Sequence, residues 1–189
     1  HSQRYIERFR TMAEAGRDLA GEARLIDAMA PRSARILDAG CGPGRVGSTL
    51  AELGHEVVGV DVDPVLIAEA QREHPGATWL VGDLAELDLP AAGVAADYDV
   101  IVCAGNVMTF LAPSTRSLVV SRLGAHLADG GRLVVGFGAE RGYPFDEFRA
   151  NAEAAGLVLD LEIGTWDLRP FTPESDFLIS VLSRPASAA

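Results

Sequence analysis

The stretch most able to do chemistry is Asp38-Ala39-Gly40-Cys41-Gly42-Pro43-Gly44-Arg45-Val46-Gly47. Alternating glycines let a backbone take positive φ and approach a ligand closely, and a plain turn needs fewer of them. Two kinds of ligand compete for such a loop. Gly42-x-Gly44-x-x-Gly47 matches the dinucleotide fingerprint, and Asp61 lies near the distance at which an acid holds a ribose. Asp38, just ahead of the glycines, argues the other way: a carboxylate there repels a diphosphate and attracts an ammonium group. Pro43 removes one backbone donor that a diphosphate loop would use. A further acid, Asp83, stands in Gly82-Asp83-Leu84. The plainer readings are a solvated turn carboxylate for Asp61 and a helix N-cap for Asp83.

These residues need elements to hold them in place. The apolar run over 34–39 reads as a buried strand leading into the glycines, and 46–53 as the helix after them, stopped by Gly54. Further strands are expected over 56–61, 77–83, 98–104, 131–138, 157–163 and 176–183. Helices are expected over 64–73, 114–127 and 145–155, with Pro64 in a first helical turn. Strand–helix alternation makes a mostly parallel sheet with helices on both faces. The last two strands have no helix between them, so the final one should run antiparallel. Ahead of this core, over 34–184, residues 3–30 form a helical extension. Tyr5, Phe9, Met12 and Ala13 recur at helical spacing in it, as do Leu19, Ala23, Ile26 and Met29. The whole, 1–189, reads as a single domain.

With 48% apolar residues the chain can build a core, and a formal charge of −11 without a basic cluster makes nucleic acid an unsuitable partner. Two cysteines form no disulfide framework, which suits a reducing cytoplasm. No apolar run reaches the roughly 18 residues of a membrane span. The polar start, HSQRYIERFR, is unlike a secretion signal, and His1 and Ser2 read as a tag remnant outside the functional argument. No metal-ligand spacing occurs. His55, His74 and His126 fall at the edge opposite the strand C-terminal ends and read as surface residues.

The run ILDAGCGPGRVG, then GVDVDP, then GDL, resembles the seven-stranded Rossmann-like methyltransferases over residues 34–184. AGRDLAGEAR (15–24) and AGNVMTFLAP (104–113) also resemble small actinobacterial members. The resemblance implies S-adenosylmethionine as cofactor and S-adenosylhomocysteine as product. It places Asp38 and the backbone of Ala39, Gly40 and Gly42 at the methionine part, with Gly44 shaping the turn. Asp61 would accept from both ribose hydroxyls, and Val62 would pack on adenine. Asp83 would accept from the adenine amine beside a backbone donor from Leu84, and Cys103, Ala104 and Gly105 would lie by the sulfonium. Cys103-Ala104-Gly105-Asn106 lacks the [DN]-P-P-[YF] pattern of amide and adenine methylation, and the acids that hold magnesium in catechol-type enzymes are missing too. The family's strand order also makes the strands before Cys41 and ending in Cys103 neighbours, so two free, partly buried thiols are expected within several ångströms of each other.

The expected reaction is methyl transfer to an unidentified small-molecule acceptor, in which the protein chiefly positions a nucleophile. Tyr5, Glu22 and Asn106 are the candidate catalytic groups. The acceptor site should be roofed by Tyr5, Phe9, Arg17, Asp18 and Glu22, by 106–110, by Glu140 to Tyr143, and by Trp166, Arg169 and Phe171 of the final hairpin. The first helix is a candidate lid, and the second is either lid or core. Two rival functions remain. One is a NAD(P)-dependent oxidoreductase, for which no catalytic Tyr-x-x-x-Lys is found; the other is a non-catalytic S-adenosylmethionine-binding module.

Overall fold

The computed structural model describes residues 2–186. Its centre is strand β1 (Arg35–Ala39), whose Ile36, Leu37 and Ala39 have no exposed surface. A strand covered on both faces needs no polar alternation, which is why the sequence reads there as one apolar run. Gly44, at φ 86°, caps helix α3 (Arg45–Glu52), and Gly54, at φ 94°, ends it. Strand β2 (Glu56–Asp61) feeds helix α4 (Pro64–Glu73), where Pro64 takes the first position and Asp63 accepts from the Val65 amide at 2.8 Å. Strand β3 (Thr78–Val81), strand β4 (Tyr98–Cys103), helix α5 (Arg116–Ala125), strand β5 (Leu127–Gly138), helix α6 (Phe145–Ala154), strand β6 (Val158–Ile163) and strand β7 (Phe177–Ser183) complete the core.

The sheet order is β3-β2-β1-β4-β5-β7-β6, and β7 runs antiparallel to both neighbours, as expected for the last strand. The chain reverses its direction of travel between β1 and β4. That switch point, at the strand C-terminal edge, opens the crevice in which such sheets take ligands. Val119, Leu123, Phe148 and Ala152 of α5 and α6 pack on one face, with Leu37, Ile101 and Leu133 beneath them. The opposite face packs Ile36, Val102 and Val134 against Val46 and Leu50 of α3. Toward its outer end Trp79 meets Ile67 and Ala70 of α4. Gly59 is required there: a Cβ on it would lie 2.3 Å from the Trp79 ring.

The two helices of the extension differ. Helix α2 (Gly21–Met29) buries Ala23, Leu25 and Ile26 against α3 and is core. Helix α1 (Ser2–Glu14) buries only Ile6.

Some boundaries depart from the sequence expectation. The fifth strand begins at Leu127, which pairs with Tyr98 before a register shift, so α5 ends at Ala125. Short 3-10 turns at Leu84–Glu86, Pro90–Ala92, Val107–Phe110 and Pro113–Thr115 carried no periodic signal. His55 and His126 are 6% and 7% exposed rather than surface residues. Each ties turns at the edge away from the crevice. His55 Nδ1 accepts from the Ala34 amide at 3.2 Å while its Nε2 meets Asp27 at 2.9 Å. His126 Nε2 accepts from the Leu89 amide at 3.2 Å. No helix among the described residues is long and apolar enough to cross a membrane.

Candidate active site

Asp38, next to last in β1, lies beneath the glycine loop and is 2% exposed. Its Oδ2 accepts from the Gly47 amide at 2.9 Å, which places a carboxylate against the first turn of α3. Burial pushes this acid up to about 7, opposed by the Gly47 bond and the Arg45 charge. The loop's own donors are spent internally. The Gly40 and Cys41 amides donate to Val60 O at 2.8 and 3.1 Å, the Gly42 amide to Asp61 Oδ2 at 2.9 Å, and the Gly44 amide to Cys41 O at 3.1 Å. Pro43 has no donor. A diphosphate would meet a buried acid and few free N–H groups, whereas a cation would meet the acid and the loop's carbonyls.

Positive φ at Gly40 (77°), Gly42 (55°) and Gly44 (86°) turns the loop over Asp38. Gly40 has a second reason to be glycine: a Cβ on it would lie 2.4 Å from Val107. Asp61 is held flat by two amides, Gly42 on Oδ2 and Asp63 on Oδ1, each at 2.9 Å. Beside it Val62 is 67% exposed, an apolar surface at the crevice with no partner side chain to cover it. Asp83 does cap a turn, accepting from the Ala85 amide at 2.8 Å through Oδ1, and Leu84 is buried behind it. On the other side of the switch point Ala104 and Gly105 line the crevice with Asp38 and Gly40. Gly105 and Asn106 both take positive φ, and Asn106 Oδ1 accepts from the Gly138 amide at 2.8 Å, tying the ends of β4 and β5 together.

Tyr5 and Phe9 of α1 form the roof, leaving a space of about 30 Å³ above the loop. Arg45 anchors the wall with a bidentate pair to Glu22, at 2.9 and 2.6 Å, and lies 5.2 Å from the Phe9 ring centre. Burial raises the Glu22 acid, but the Arg45 bonds and charge outweigh it and bring it below its ordinary value. Burial also raises Tyr5, against the opposing Arg45 charge. Arg45, Val107 and Trp79 were not singled out from the sequence. Arg45 occupies a variable position of the glycine motif, and the roles of the other two appear only when they meet Gly40 and Gly59 in space.

Three expectations need correction. Tyr143 is not part of a roof: it is 1% exposed, stacked with Phe137 at 5.6 Å and overlain by Arg116 at 4.4 Å. Asp18 points away from the crevice into an exposed pair with Arg24. The thiols are free and buried, but Cys41 packs with Trp79 on one face of the sheet and Cys103 with Met108 on the other, because strand adjacency does not fix which face a side chain takes. The remaining roof elements do share the strand C-terminal edge. Phe110 is 79% exposed, Trp166 packs over Gly136, and Phe171 lies 5.9 Å from Phe145. Among the described residues, no three His, Cys, Asp or Glu side chains are grouped to hold a metal.

Residues 36–131 match the family model described as "Methyltransferase domain". A TehB-like SAM-dependent methyltransferase from Corynebacterium glutamicum is 48% identical in its crystal structure and superposes with a TM-score of 0.93, over 97% of this chain and 98% of that one. An uncharacterized methyltransferase of Mycobacterium tuberculosis is 35% identical over 114 residues, 59% of this chain and 54% of the relative. A trans-aconitate 2-methyltransferase from Azoarcus is 33% identical over 135 residues, 70% of this chain and 48% of that protein. The chain thus spans about half the length of the curated relatives it matches, and nearly all of the corynebacterial structure.

Proposed function

The chain belongs to the S-adenosylmethionine-dependent methyltransferases, and from that premise we propose that it methylates a small molecule entering between α1, the turn over 106–110 and the β6–β7 loop. The observation that carries the reading is Asp38, whose carboxylate stands at the start of α3 where a dinucleotide fold would seat its diphosphate. The cradle fits the cofactor. Asp38 and the carbonyls of Ala39 and Gly40 receive the ammonium group, while Gly42 and Gly44 shape the loop. Asp61 accepts from the ribose hydroxyls with lone pairs left beyond its two amide bonds, and Val62 covers adenine. Asp83 and the Leu84 amide read the adenine edge, and Ala104 and Gly105 form the wall at the sulfur, whereas Cys103, expected there too, is buried on the opposite face of the sheet.

S-adenosylmethionine supplies a methyl group on a positive sulfur, so what remains for the protein is to hold an acceptor in line with it and exclude water. None of the three candidate catalytic groups is a suitable base. Glu22 is committed to Arg45 and lowered, Tyr5 is raised, and Asn106 carries a structural hydrogen bond and no acid–base chemistry. The acceptor therefore arrives with a free lone pair or gives its proton to water. Exposed Phe110 and Leu168 supply apolar surface at the mouth for its body. Trans-aconitate, in the name of the Azoarcus relative, is an example of a small acceptor whose nucleophilic oxygens need no base.

Calorimetry with S-adenosylhomocysteine, NAD and NADP tests the cofactor site, and methyl release from S-adenosylmethionine into a metabolite pool tests turnover. Tight NADP binding without S-adenosylhomocysteine binding overturns the reading. Cofactor binding with no acceptor methylated from any pool leaves a binding module in its place.

A further inference from the structure

A cavity of about 250 Å³ lies away from the crevice, between α6 and the outer strands β6 and β7. Phe148, Ala152, Leu157, Leu159 and Leu182 line it, with Ser180 at its floor. It is on the α5 and α6 face of the sheet, whereas Asp38 and the loop work from the opposite face, so a molecule here is out of reach of the methyl group. Ser180 sits in mid-strand, paired with Val135 on one side and Glu162 on the other. It is 0% exposed, and its hydroxyl has no hydrogen-bond partner. An unpaired buried hydroxyl is destabilising, and a ligand oxygen that bonds it would recover that loss.

We propose that this cavity is a second small-molecule site, for a neutral, largely apolar molecule carrying one hydrogen-bonding oxygen. The size sets the class: an apolar cavity of about 150 Å³ takes benzene, so this one suits a fused two-ring or similarly bulky molecule. The charge follows from the rim. Arg149 is the cation at the mouth, and its guanidinium is already spent, on Glu162 at 2.8 and 3.0 Å and on Asp146 at 2.6 Å. Among the described residues lining the cavity no other cation stands to hold a carboxylate, and Glu153 at the rim would repel one. The bulge between Leu159 and Leu161 leaves Leu159 46% exposed at the opening, which gives an apolar entry. Phe148 in the wall meets Phe137 of β5 edge-on at 5.4 Å, next to the Gly138 that bonds Asn106, so an occupant would bear on the crevice only through packing.

The test uses 2-naphthol, naphthalene and 2-naphthoate, titrated into isotope-labelled protein saturated with S-adenosylhomocysteine. Amide shifts should gather on α6, β6 and β7, with naphthalene about tenfold weaker than 2-naphthol and 2-naphthoate weaker still. Ser180→Ala should erase the naphthol–naphthalene difference without lowering the melting temperature. Ala152→Leu, which fills the cavity, should abolish binding and leave cofactor affinity unchanged. Three results overturn the proposal: shifts confined to the strand C-terminal edge, a naphthol preference that survives Ser180→Ala, or a crystal with only water at Ser180 in saturating 2-naphthol. Self-association through β6 that protects the same amides overturns it as well. None of these readouts depends on methyl transfer.

Discussion

The floor and the roof of the crevice are built differently. In the floor, the loop amides are bonded to Val60 O, Asp61 and Cys41 O, the start of α3 is bonded to Asp38, and Gly40, Gly44 and Gly47 lie where a side chain has no room. The roof is α1, which buries Ile6 and is otherwise fixed by polar ties, Ser2 to Asp63 and Arg10 to Glu69, and by Tyr5 and Phe9 over the loop. The exposed Arg10–Glu69 ion pair is worth little, and Ser2 to Asp63 is a single hydroxyl–carboxylate hydrogen bond. Such a floor is preformed and sets affinity, whereas such a roof opens at small cost and sets access.

The largest effect should come from crowding the floor. Gly40→Val adds a branched side chain at φ 77°, with its Cβ 2.4 Å from Val107. A left-handed L-residue costs about 1–2 kcal/mol and overpacking about 1–3 kcal/mol. Denaturant unfolding should show their sum, and S-adenosylhomocysteine binding should be lost. A variant that binds normally would show that Val107 yields and the floor is soft.

Asp61→Ala comes next. It removes the acceptor proposed for the ribose and also frees the Gly42 and Asp63 amides that hold the loop in register. Charge-assisted bonds of this type are worth roughly 1.5–3 kcal/mol, so calorimetry should find affinity at least about tenfold lower in a folded protein. Unchanged affinity would mean that the ribose binds elsewhere.

How far the sequence revealed this site depends on whether a contact is local. Asp38, the glycines, Asp61 and Asp83 lie within or beside strand ends, so period and spacing were enough to place them at one edge. The antiparallel β7 was equally legible, since no helix separates it from β6. Contacts across the chain were not legible. Val107 closing on Gly40, Trp79 on Gly59 and Arg45 on Glu22 join residues with no shared period. The same limit misplaced the thiols and Tyr143: both depend on which face of the sheet a side chain takes after a turn.

A smaller effect should follow from pH. Asp38 is pushed up to about 7 in the folded protein, above its unfolded value, so the proton it holds favours the fold at low pH and that contribution is lost as pH rises toward 7. A ligand ammonium needs the carboxylate, so binding must release this proton below about 7. Affinity for S-adenosylhomocysteine should therefore rise about tenfold from pH 6 to 8, with proton release seen as a dependence of the binding heat on buffer. Asp38→Asn should flatten the profile. A flat profile in the parent protein would mean that the acid is already ionised in the floor.

The smallest equilibrium effect, and the sharpest test of the contrast, concerns the roof. Tyr5 and Phe9 leave a space of only about 30 Å³ above the loop, so seating the methionine part over Asp38 calls for α1 to shift. Moving it breaks few contacts: one buried isoleucine, polar ties of Ser2 to Asp63 and of Arg10 to Glu69 and Glu73 at the α4 surface, and the Arg45–Phe9 stack. Deleting residues 2–14 should then lower the melting temperature by only a few degrees, whereas Ile26→Ala in α2 should cost about 2–5 kcal/mol as a core truncation. Once the cofactor is bound, Tyr5 and Phe9 gain an apolar surface to lie on. Hydrogen exchange across residues 3–18 should slow when S-adenosylhomocysteine binds, and the deletion should speed cofactor release more than it slows association. Equal protection with and without cofactor, or a deletion that leaves release and turnover unchanged, would make α1 a passive cover. The acceptor would then have to be held by the other side of the mouth, where Phe110 and the β6–β7 loop are the remaining surfaces.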